Sequence, residues 1–468
     1  MSDLTFAELR SLDTTAMLAA YRAGTLSPVD VTDAALAAVE TINPKINAIF
    51  HVDRDGALTQ ARASEARWRL QAPRGRLDGV PTVIKDGLQW RGVPGYRGSM
   101  ALKGHARAPD TDSPCVARLR ENGAVLLGKT IMCDFGMLSS GYSSMFGPVR
   151  NPWDLSRTSG GSSAGTGAAL AAGIVPIAPG TDILGSVRVP ASFCGLTGLK
   201  PSFGRVPHFP QTSPAAVSGP MARNVTDMAR LMSVMAAPDD RDFSALAHQP
   251  IDYEQALERS FKGSRVGFLS TMGFGTTPDR ETLDVFKRVL PILSAIGCEI
   301  EEIPSPFKPG DERVAEDFYR LRPLNELESL PPESRDAVDI INRWADPARR
   351  YTALDHFRHY LGTLQLRARA LAMMGTFDFL VLPTTPLPAF AAELPAPDPH
   401  ALFAPFCNTF LFNLTEQPAL SLPCGHTAGG LPVGLQLVGR RFDDVGVIQL
   451  AYAIERAQDR RVSWPALA

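Results

Sequence analysis

The 468-residue sequence predicts an α/β protein in which helices cover both faces of a β-sheet. From residue 79 onward, short apolar runs such as GVPTVI and AVLLGKT alternate with helical patterns such as SPCVARLRENG. Strands that are apolar along their whole length are typical of sheets buried on both faces. Hydrophobic residues make up 44% of the chain and charged residues 21%, so the chain can bury a large core.

The N-terminal region is predicted to be helical. An apolar pattern over residues 9–17 indicates a first helix, and Ser27-Pro28 is typical of a helix start, with a capping serine before proline. A third helical pattern covers residues 54–70. We expect these helices to lie on the outside of the body.

The rest of the chain continues the alternation. A long Ser-, Gly-, Asn- and Pro-rich loop over residues 141–163 is of the kind that is usually functional, and a helix is predicted from Val225. After a surface linker at residues 239–250 come a strand, a helix and a strand: SRVGFLS, DRETLDVFKRVLPILSAIG and CEIEEIP. Residues 311–374 are mostly helical in pattern. The final predicted elements are three strands and a helix: FDFLVLP, QPALSLPCG, GLPVGLQLVG and DDVGVIQLAYAIERA.

Charge and composition limit the possible partners and location. Forty-seven basic and 49 acidic residues give a net charge of −2, which offers no electrostatic surface for nucleic acid or an anionic membrane. RNA contacts through a partner protein stay open. The longest low-charge run, residues 167–180, contains two prolines and is too short to span a membrane. The start MSDLTFAELR is unlike a signal peptide. We therefore expect a cytoplasmic protein with no nucleic-acid or membrane partner.

The six cysteines are scattered, with no C-x-x-C pair. This distribution predicts buried thiols in a reducing compartment, neither a disulfide framework nor a zinc site. His356 and His359 lie three residues apart on a predicted helix, but no H-E-x-x-H pattern accompanies them. We expect no metal.

One stretch, residues 158–200, holds two glycine-serine clusters, GGSSAGTG and GTDILGS. Glycine at this density marks tight turns or a close approach of backbone to ligand, so the stretch predicts a binding or catalytic site. A phosphate-binding loop is not indicated, because no Lys-Ser/Thr pair follows either cluster.

The first cluster also matches G-x-S-x-G, with Ser163 as the central serine. In an α/β-hydrolase this serine is the nucleophile on a turn between a strand and a helix. Candidate partners are Asp378, His400 and His426. However, a loop precedes the pattern where a strand is required, so a serine esterase of this type is a minor alternative.

Lys85 ends the apolar strand GVPTVI. A lysine at a strand end is usually solvated. If it is buried, desolvation lowers its pKa from about 10.4 toward roughly 7–8, the range of a general base.

Three segments together make the sequence recognisable: GVPTVIKD, NPWDLSRTSGGSSAGTGAAL and GTDILGSVRVPASFCGLTGLKPSFGRVP. They resemble the amidase signature family of Ser-Ser-Lys hydrolases. The resemblance implies a large twisted mixed sheet between layers of helices. It also implies one domain over residues 1–468, with residues 1–72 as an N-terminal helical clasp. Residues 239–378 would be a variable, mostly helical part that determines the substrate.

The resemblance assigns a catalytic triad. Lys85 matches the base, Ser162 the bridging serine that follows a cis peptide bond, and Ser186 the nucleophile. The implied reaction passes through an acyl-enzyme on Ser186 and needs no metal or organic cofactor. The implied oxyanion hole is formed by the backbone amides of Ile183, Leu184, Gly185 and Ser186. Gly136 and Met137 match positions that line the leaving-group side, where Ser162 also contacts substrate.

The sequence departs from the family pattern at three positions near the triad. Leu184 and Ala164 stand where glycine is common, and Ser159 stands where proline is common. None removes a catalytic group, so we expect an active enzyme. Asp182 and Arg188 flank the nucleophile, and we expect a structural ion pair there; the alternative is that Arg188 binds a substrate carboxylate.

The implied function is hydrolysis of a small-molecule carboxylic amide, anilide or carbamate by a free-standing enzyme. The main alternative is the amidase subunit of a tRNA-dependent amidotransferase, whose nucleophile loop commonly reads R-Q-P where this chain has Arg188-Val189-Pro190. A non-catalytic descendant is a third possibility, and a homodimer is one possible assembly. Four apolar residues near the site indicate an apolar or aromatic substrate group: Met132, Phe135, Phe146 and Leu184.

Overall fold

The computed structural model describes residues 4–458 and 464–466. Its strands, in chain order, are β1 (Ile49–Val52), β2 (Pro81–Lys85), β3 (Val125–Thr130), β4 (Arg150–Asn151), β5 (Asp154–Thr158), β6 (Ile177–Asp182), β7 (Thr197–Lys200), β8 (Val217–Ala222), β9 (Arg265–Phe268), β10 (Glu299–Glu302), β11 (Phe379–Pro383), β12 (Ala419–His426) and β13 (Pro432–Gly439).

The first eight helices are α1 (Phe6–Ser11), α2 (Thr14–Ala23), α3 (Pro28–Ile46), α4 (Arg54–Arg69), α5 (Pro114–Glu121), α6 (Ala164–Ala172), α7 (Arg188–Cys194) and α8 (Val225–Met235). The others are α9 (Arg280–Lys287), α10 (Leu290–Ala295), α11 (Arg313–Glu328), α12 (Pro332–Arg335), α13 (Asp339–Ala345), α14 (Ala353–Met374), α15 (Phe410–Leu414) and α16 (Asp444–Ala457). Short 3₁₀ turns occur at Met100–Leu102, Asp134–Gly136, Asp336–Val338, Asp346–Arg350 and Ala404–Phe406.

Eight strands form one large mixed sheet in the order β10-β9-β11-β13-β12-β7-β8-β6. The β10–β9 and β9–β11 pairs are parallel. The pairs from β11 to β6 are antiparallel. The predicted α/β class with a large mixed sheet between helices is therefore confirmed.

Both faces of the large sheet are buried, as the apolar strands predict. On β11, Phe379 and Val381 pack into a core cluster that contains residues of α5, α8 and α16. The alternating residues Leu380 and Leu382 pack into a second cluster with residues of α11, α14 and α15. Successive side chains on a strand point to opposite faces, so helices lie on both sides of this sheet.

A second sheet of three strands, in the order β1-β3-β2, lies beside the large one. Strand β2 runs along β6, where Thr82 Oγ1 donates a hydrogen bond of 2.9 Å to the carbonyl of Ile177. This junction between the two sheets brings the end of β2, and with it Lys85, next to the end of β6 and its residue Thr181.

The N-terminal region contains more helices than the sequence predicts. Residues 6–23 form two short helices instead of one, because Asp13 accepts a hydrogen bond from the Ala16 amide and so caps a new helix at Thr14. With α3 and α4 they pack against α6 in a third core cluster.

The helix predicted over residues 279–297 is also split, into α9 and α10. Pro291 lies in the first turn of α10. Proline has no amide hydrogen, and its ring clashes with the carbonyl four residues earlier, so the chain begins a new helix there. The helix predicted from Val225 is confirmed, with Asn224 as its cap.

Two composition-based predictions also relate to the fold. Five of the six cysteines are buried and Cys424 is partly exposed, and none of the six forms a disulfide bond. Within residues 4–458 and 464–466, every helix is too short or too polar to cross a lipid bilayer.

Candidate active site

A narrow cavity of about 30 Å³ lies at the ends of β2 and β6. Ser162 and Ser186 both line it, although they come from different glycine-serine clusters. Each serine is 3% exposed, so both hydroxyl groups are largely shielded from bulk water. The structure therefore places the two serines that the family resemblance selects in one small cavity.

Lys85 reaches these serines from the end of β2. Its side chain is completely buried. Its Nζ lies 2.9 Å from Ser162 Oγ and donates to Thr181 Oγ1 at 2.8 Å and to the Thr181 carbonyl at 3.3 Å. Among the described residues, every hydrogen-bond partner of the amine is thus a hydroxyl or carbonyl oxygen, and none is a carboxylate.

Because no carboxylate of the described residues pairs with Lys85, burial determines the pKa of its amine and favours the neutral form. Burial lowers the pKa of this amine to about 7, against smaller opposing effects from Cys133 and Asp182. A substantial fraction of Lys85 is therefore neutral near pH 7, which is the form that accepts a proton.

Ser162 sits in a tightly packed turn before α6. The Gly161–Ser162 peptide bond is cis. A side chain at Gly161 would overlap the carbonyl oxygens of Leu138 and Ser140. Gly160 has a φ of 82°, in the left-handed region that favours glycine. The paired glycines of GGSS are thus required by the close approach of backbone, and this approach directs Ser162 toward Lys85.

Ser186 sits in the turn between β6 and α7. Gly185, which precedes it, has a φ of 133°, and a side chain there would collide with Thr409. The Asp182 carboxylate accepts hydrogen bonds from the Gly185 amide at 2.9 Å and the Val187 amide at 3.1 Å. The turn that presents Ser186 is therefore held from both sides.

These contacts distinguish one of the four amides that the resemblance assigns to the oxyanion hole from the other three. The Gly185 amide is occupied by Asp182. The amides of Ile183, Leu184 and Ser186 donate no hydrogen bond to any group in the described part of the chain. These three are available to a ligand.

The ion pair between Asp182 and Arg188 is structural, as expected. Both side chains are completely buried, and the guanidinium contacts the carboxylate at 3.0 Å through Nε and at 2.8 Å through Nη2. Arg188 also donates to Thr409, Gln436 and Asn413. Burial alone would raise the pKa of Asp182, but Arg188 and Asn413 outweigh it and hold that pKa at about 2. With its donors engaged, Arg188 is not placed to bind a substrate carboxylate.

The two residues expected on the leaving-group side differ in position. Gly136 lines the cavity, and a side chain there would lie 3.3 Å from Ser162 Oγ. Met137 is buried in the core behind it, where its sulfur contacts Arg322 Nη1 at 2.9 Å.

Of the four apolar residues proposed near the site, Met132 alone lines the cavity. Phe135 and Leu184 are buried in a core cluster, and Phe146 stacks on Phe50 with ring centres 4.6 Å apart. The expectation of an apolar substrate group based on these residues is therefore weakened, because short distance along the chain did not translate into contact with the cavity.

Ser163 has none of the features of a nucleophile. It is completely buried, and its Oγ lies 3.5 Å from the Thr181 carbonyl. Its proposed partners lie elsewhere: Asp378 accepts from the Arg265 amide, His426 packs on Trp153, and His400 borders a separate surface pocket. The α/β-hydrolase alternative has no support in this geometry.

The cavity also contains residues that the sequence analysis did not single out, among them Thr181, His208 and Arg322. Thr181 lies within the GTDILGS cluster, and its position before the acidic residue could have pointed to it. His208 and Arg322 come from segments without a motif and reach the cavity only through the fold. Burial lowers the pKa of His208 to about 4, so its ring is neutral, and its Nδ1 lies 2.8 Å from Ser218 Oγ.

Comparison with known proteins gives consistent family relationships. The family model described as Amidase matches residues 30–326 and 334–448. A glutamyl-tRNA(Gln) amidotransferase subunit of Myxococcus xanthus is 35% identical, with 98% of each chain covered. A bacterial aryl acylamidase of the amidase signature family superposes with a TM-score of 0.88 at 27% identity, covering 95% of this chain and 96% of that one. The amidotransferase subunit of the same name from Thermotoga maritima superposes with a TM-score of 0.75 at 25% identity, covering 97% and 94%.

One expectation from composition is wrong in the light of these relatives. A balanced net charge was expected to exclude a nucleic-acid partner. Two of these relatives, with a similar length and fold, are named as subunits of an amidotransferase of glutamyl-tRNA(Gln). Overall charge balance does not report on such a role, because a partner protein can supply the nucleic-acid surface.

Proposed function

The chain belongs to the amidase signature family, and on that premise we propose that it hydrolyses the C–N bond of a carboxylic amide through an acyl-enzyme on Ser186. The observation that carries the proposal is the contact of 2.9 Å between Lys85 Nζ and Ser162 Oγ beside the cavity that also holds Ser186. A buried neutral amine next to a serine hydroxyl is an arrangement for taking a proton from a nucleophile.

The hydrogen bonds around Lys85 support a direction for proton transfer. A neutral amine has two N–H donors and one lone pair. The two oxygens of Thr181 accept the two N–H groups, so the lone pair is left for the Ser162 hydroxyl. Lys85 then takes the proton of Ser162 while Ser162 takes the proton of Ser186, and Ser186 Oγ bonds to the substrate carbonyl carbon.

The charge that develops on the carbonyl oxygen needs donors. The free amides of Ile183, Leu184 and Ser186 are the proposed oxyanion hole, and each such donor is typically worth about 10²–10³ in rate. The Gly185 amide instead holds the turn through Asp182. As the C–N bond breaks, Ser162 gives its proton to the departing nitrogen and recovers one from Lys85. A water molecule then attacks the acyl-enzyme by the same route and releases the carboxylic acid.

Two settings are open for this chemistry, and the relatives give more support to the first. In that setting the chain is the amidase component of a tRNA-dependent amidotransferase, which releases ammonia from an amide within a larger assembly. Support comes from the 35% identity to the Myxococcus xanthus protein over 98% of both chains.

A free-standing amidase is the second setting, and two observations favour it. The superposition on the aryl acylamidase is closer than that on the Thermotoga maritima protein, with TM-scores of 0.88 and 0.75. Val189 also stands in the nucleophile loop where the amidotransferase subunits commonly have glutamine. In this setting the substrate is a small amide, anilide or carbamate, and six cysteines outside disulfide bonds support a reducing compartment such as the cytoplasm.

One experiment tests the reaction and separates the two settings. The purified chain is assayed alone on L-glutamine and on a panel of aryl and alkyl amides, with release of ammonia or amine as the readout. Turnover of anilides by the chain alone, lost in Ser186→Ala, supports a free-standing amidase. Glutaminase activity that appears only when the other amidotransferase subunits are present supports the first setting. Turnover that persists in Ser186→Ala would refute the proposed reaction in either setting.

A further inference from the structure

A second, larger cavity opens outside the narrow one. Its volume is about 550 Å³, enough for a small organic molecule. Arg97, Thr212 and Arg322 line both cavities, so the two are adjacent. Arg322 therefore stands at the point where a substrate would pass from the outer cavity to the catalytic serines.

Arg322 is held rigidly but has a free donor. Its side chain is 9% exposed, and its Nη1 donates to the Phe135 carbonyl at 2.8 Å. Its Nη2 lies 3.7 Å from a Glu326 oxygen. The Nε–H is buried and has no acceptor anywhere in the described part of the chain. The Nε groups of Arg118, Arg157 and Arg320 are also buried without an acceptor in the described part of the chain, but Arg322 is the one of these four that lines both cavities.

A second unpartnered donor lies one helical turn earlier on α11. Tyr319 is 1% exposed and lines the outer cavity, and its hydroxyl has no hydrogen-bond partner among the described residues. Burial raises the pKa of this hydroxyl, so it stays protonated and can donate. Residues three apart lie on one helix face, so Tyr319 and Arg322 can offer two donors to one ligand group.

The charges around these donors do not balance. Arg97 pairs with Glu326, and Arg322 lies near the same carboxylate, so two guanidinium groups share one acidic residue. Glu326 is the one acidic side chain among the described residues that line either cavity. His208 is neutral. The wall between the two cavities thus carries one positive charge in excess.

We propose that Arg322 and Tyr319 bind a carboxylate, or a similar anionic group, on the amide substrate. The inference rests on the proposed function and adds a substrate class to it. The anion accepts hydrogen bonds from Arg322 Nε and the Tyr319 hydroxyl and balances the excess positive charge. The rest of this part of the substrate lies in the outer cavity, where the rings of Phe318 and His356 are stacked at 5.6 Å.

The position of Arg322 indicates which end of the substrate carries the anion. The guanidinium is fixed to the carbonyl of Phe135, next to Gly136, and Gly136 faces Ser162 across the cavity. Ser162 is the group that protonates the departing nitrogen in the proposed reaction. The anion is therefore expected on the amine part of the substrate, which fits the free-standing setting, because the amine released in the amidotransferase setting is ammonia.

Two matched pairs of anilides test the inference. The first pair places the charge on the amine: 4-acetamidobenzoate and its neutral analogue 4-acetamidoacetophenone. The second pair places it on the acyl group: N-phenylsuccinamate and its neutral analogue N-phenyl-4-oxopentanamide. In the wild-type chain, the anionic member of the first pair is expected to have a kcat/KM about 10- to 100-fold higher than its neutral partner, the size of a charge-assisted hydrogen bond. Preference within the first pair supports an anion on the amine part, and preference within the second pair alone would contradict that assignment.

Variants on one helix connect the preference to Arg322. Arg322→Gln should bring the ratio of anionic to neutral kcat/KM close to one, and Tyr319→Phe should lower it by about 3- to 10-fold. Arg320→Gln is the matched control, because Arg320 lies on the same helix but pairs with Glu316 and Asp317 outside both cavities. A wild-type ratio near one for the first pair, or a ratio that survives in Arg322→Gln, would overturn the inference.

A binding measurement keeps this test separate from the proposed reaction. Calorimetric titration of Ser186→Ala with 4-acetamidobenzoate and with 4-acetamidoacetophenone measures anion recognition without turnover. The anionic probe should bind at least 10-fold more tightly, and Arg322→Gln in the same background should remove the difference. Equal affinities would refute the inference even if Ser186 proves to be the nucleophile. A clear difference would support it even if hydrolysis does not depend on Ser186.

Discussion

Thr181 contacts Lys85 twice, through its Oγ1 at 2.8 Å from Nζ and through its carbonyl at 3.3 Å. These contacts orient a buried amine whose hydrogen-bond partners are all uncharged. The lone pair of the amine then points toward Ser162 and not toward an arbitrary part of the cavity. Thr181 is thus a positioning residue for the proposed base.

Removing the Thr181 hydroxyl should weaken this orientation. In Thr181→Val the side chain keeps its shape but loses the Oγ1 acceptor, so we expect kcat to fall about 10-fold with a smaller change in KM, a loss typical of one catalytic hydrogen bond. Steady-state kinetics on an anilide measures this. Thr181→Ser keeps the hydroxyl and should restore most of the rate. Equal kcat values for wild type and Thr181→Val would contradict the positioning role.

The activity should depend on pH through Lys85. The base works only when it is neutral, and burial lowers its pKa to about 7. We therefore expect kcat/KM to rise as the pH increases through about 7 and to level off above it. The measurement is a pH profile of kcat/KM between pH 5 and about 9.

Lys200 provides the control for this profile. Burial also lowers its pKa to about 7, but its Nζ donates to the Pro201 carbonyl and the residue does not line the catalytic cavity. Lys200→Met should keep the acid limb of the profile, whereas the residual activity of Lys85→Ala should lose it. A limb near pH 7 that disappears with Lys200 instead would show that Lys85 is not the group that titrates.

Substitutions at the three serines should separate the nucleophile from its neighbours. Ser186→Ala should abolish hydrolysis. Ser162→Ala should lower kcat by at least about 10³-fold, because residues that act as one catalytic unit lose most of their effect when any one of them is removed. Ser163→Ala should retain most activity, since Ser163 does not reach the cavity. Rates and circular dichroism of each variant would check this. An active Ser186→Ala beside an inactive Ser163→Ala would revive the α/β-hydrolase alternative.

The buried ion pair should contribute more to folding than surface pairs do. Arg188→Ala leaves the Asp182 carboxylate buried and uncompensated, so we expect the free energy of unfolding to fall by about 3–5 kcal/mol. Denaturant titration measures it. Arg343→Ala breaks a pair whose side chains are 73% and 67% exposed and should cost no more than about 1 kcal/mol. Similar losses in the two variants would contradict the structural role of Arg188.

Gly185 should tolerate no side chain. In Gly185→Ala, the new methyl group meets Thr409 and the φ of 133° becomes strained, so the turn that presents Ser186 must shift. We expect kcat to fall at least about 100-fold, as for a misplaced catalytic group. Gly92→Ala is the control, because Gly92 has a φ of 83° but nothing within 4 Å of an added methyl group. It should lose some stability and little activity.

The sequence predicted the parts of the site that depend on local patterns. Lys85 could be placed at a strand end because β2 is apolar along its length, and the glycines around Ser162 and Ser186 signal turns that no other residue can form. The family resemblance supplied the roles. Arg322 and His208 could not be predicted, since each reaches the cavity through the packing of distant elements and neither belongs to a motif.

The errors have similar physical origins. Phe135 and Leu184 are neighbours of cavity residues in the chain, but their side chains turn into the core on the opposite side of the backbone. The N-terminal helices were undercounted because the cap formed by Asp13 divides an otherwise continuous apolar pattern. Periodicity predicts which side chains of a helix or strand are buried. Neither periodicity nor proximity along the chain predicts the direction of side chains in an irregular turn.

The junction between β2 and β6 makes the proposed catalytic site depend on how the two sheets are aligned. The proposed base lies on the small sheet and the proposed nucleophile follows a strand of the large one, and the two sheets meet where Thr82 is hydrogen-bonded to Ile177. A displacement of one sheet relative to the other along this junction would move Lys85 away from Ser162 and leave that serine without its proposed base. Catalytic competence therefore depends on the alignment of two sheets, and it can be lost while each sheet remains intact.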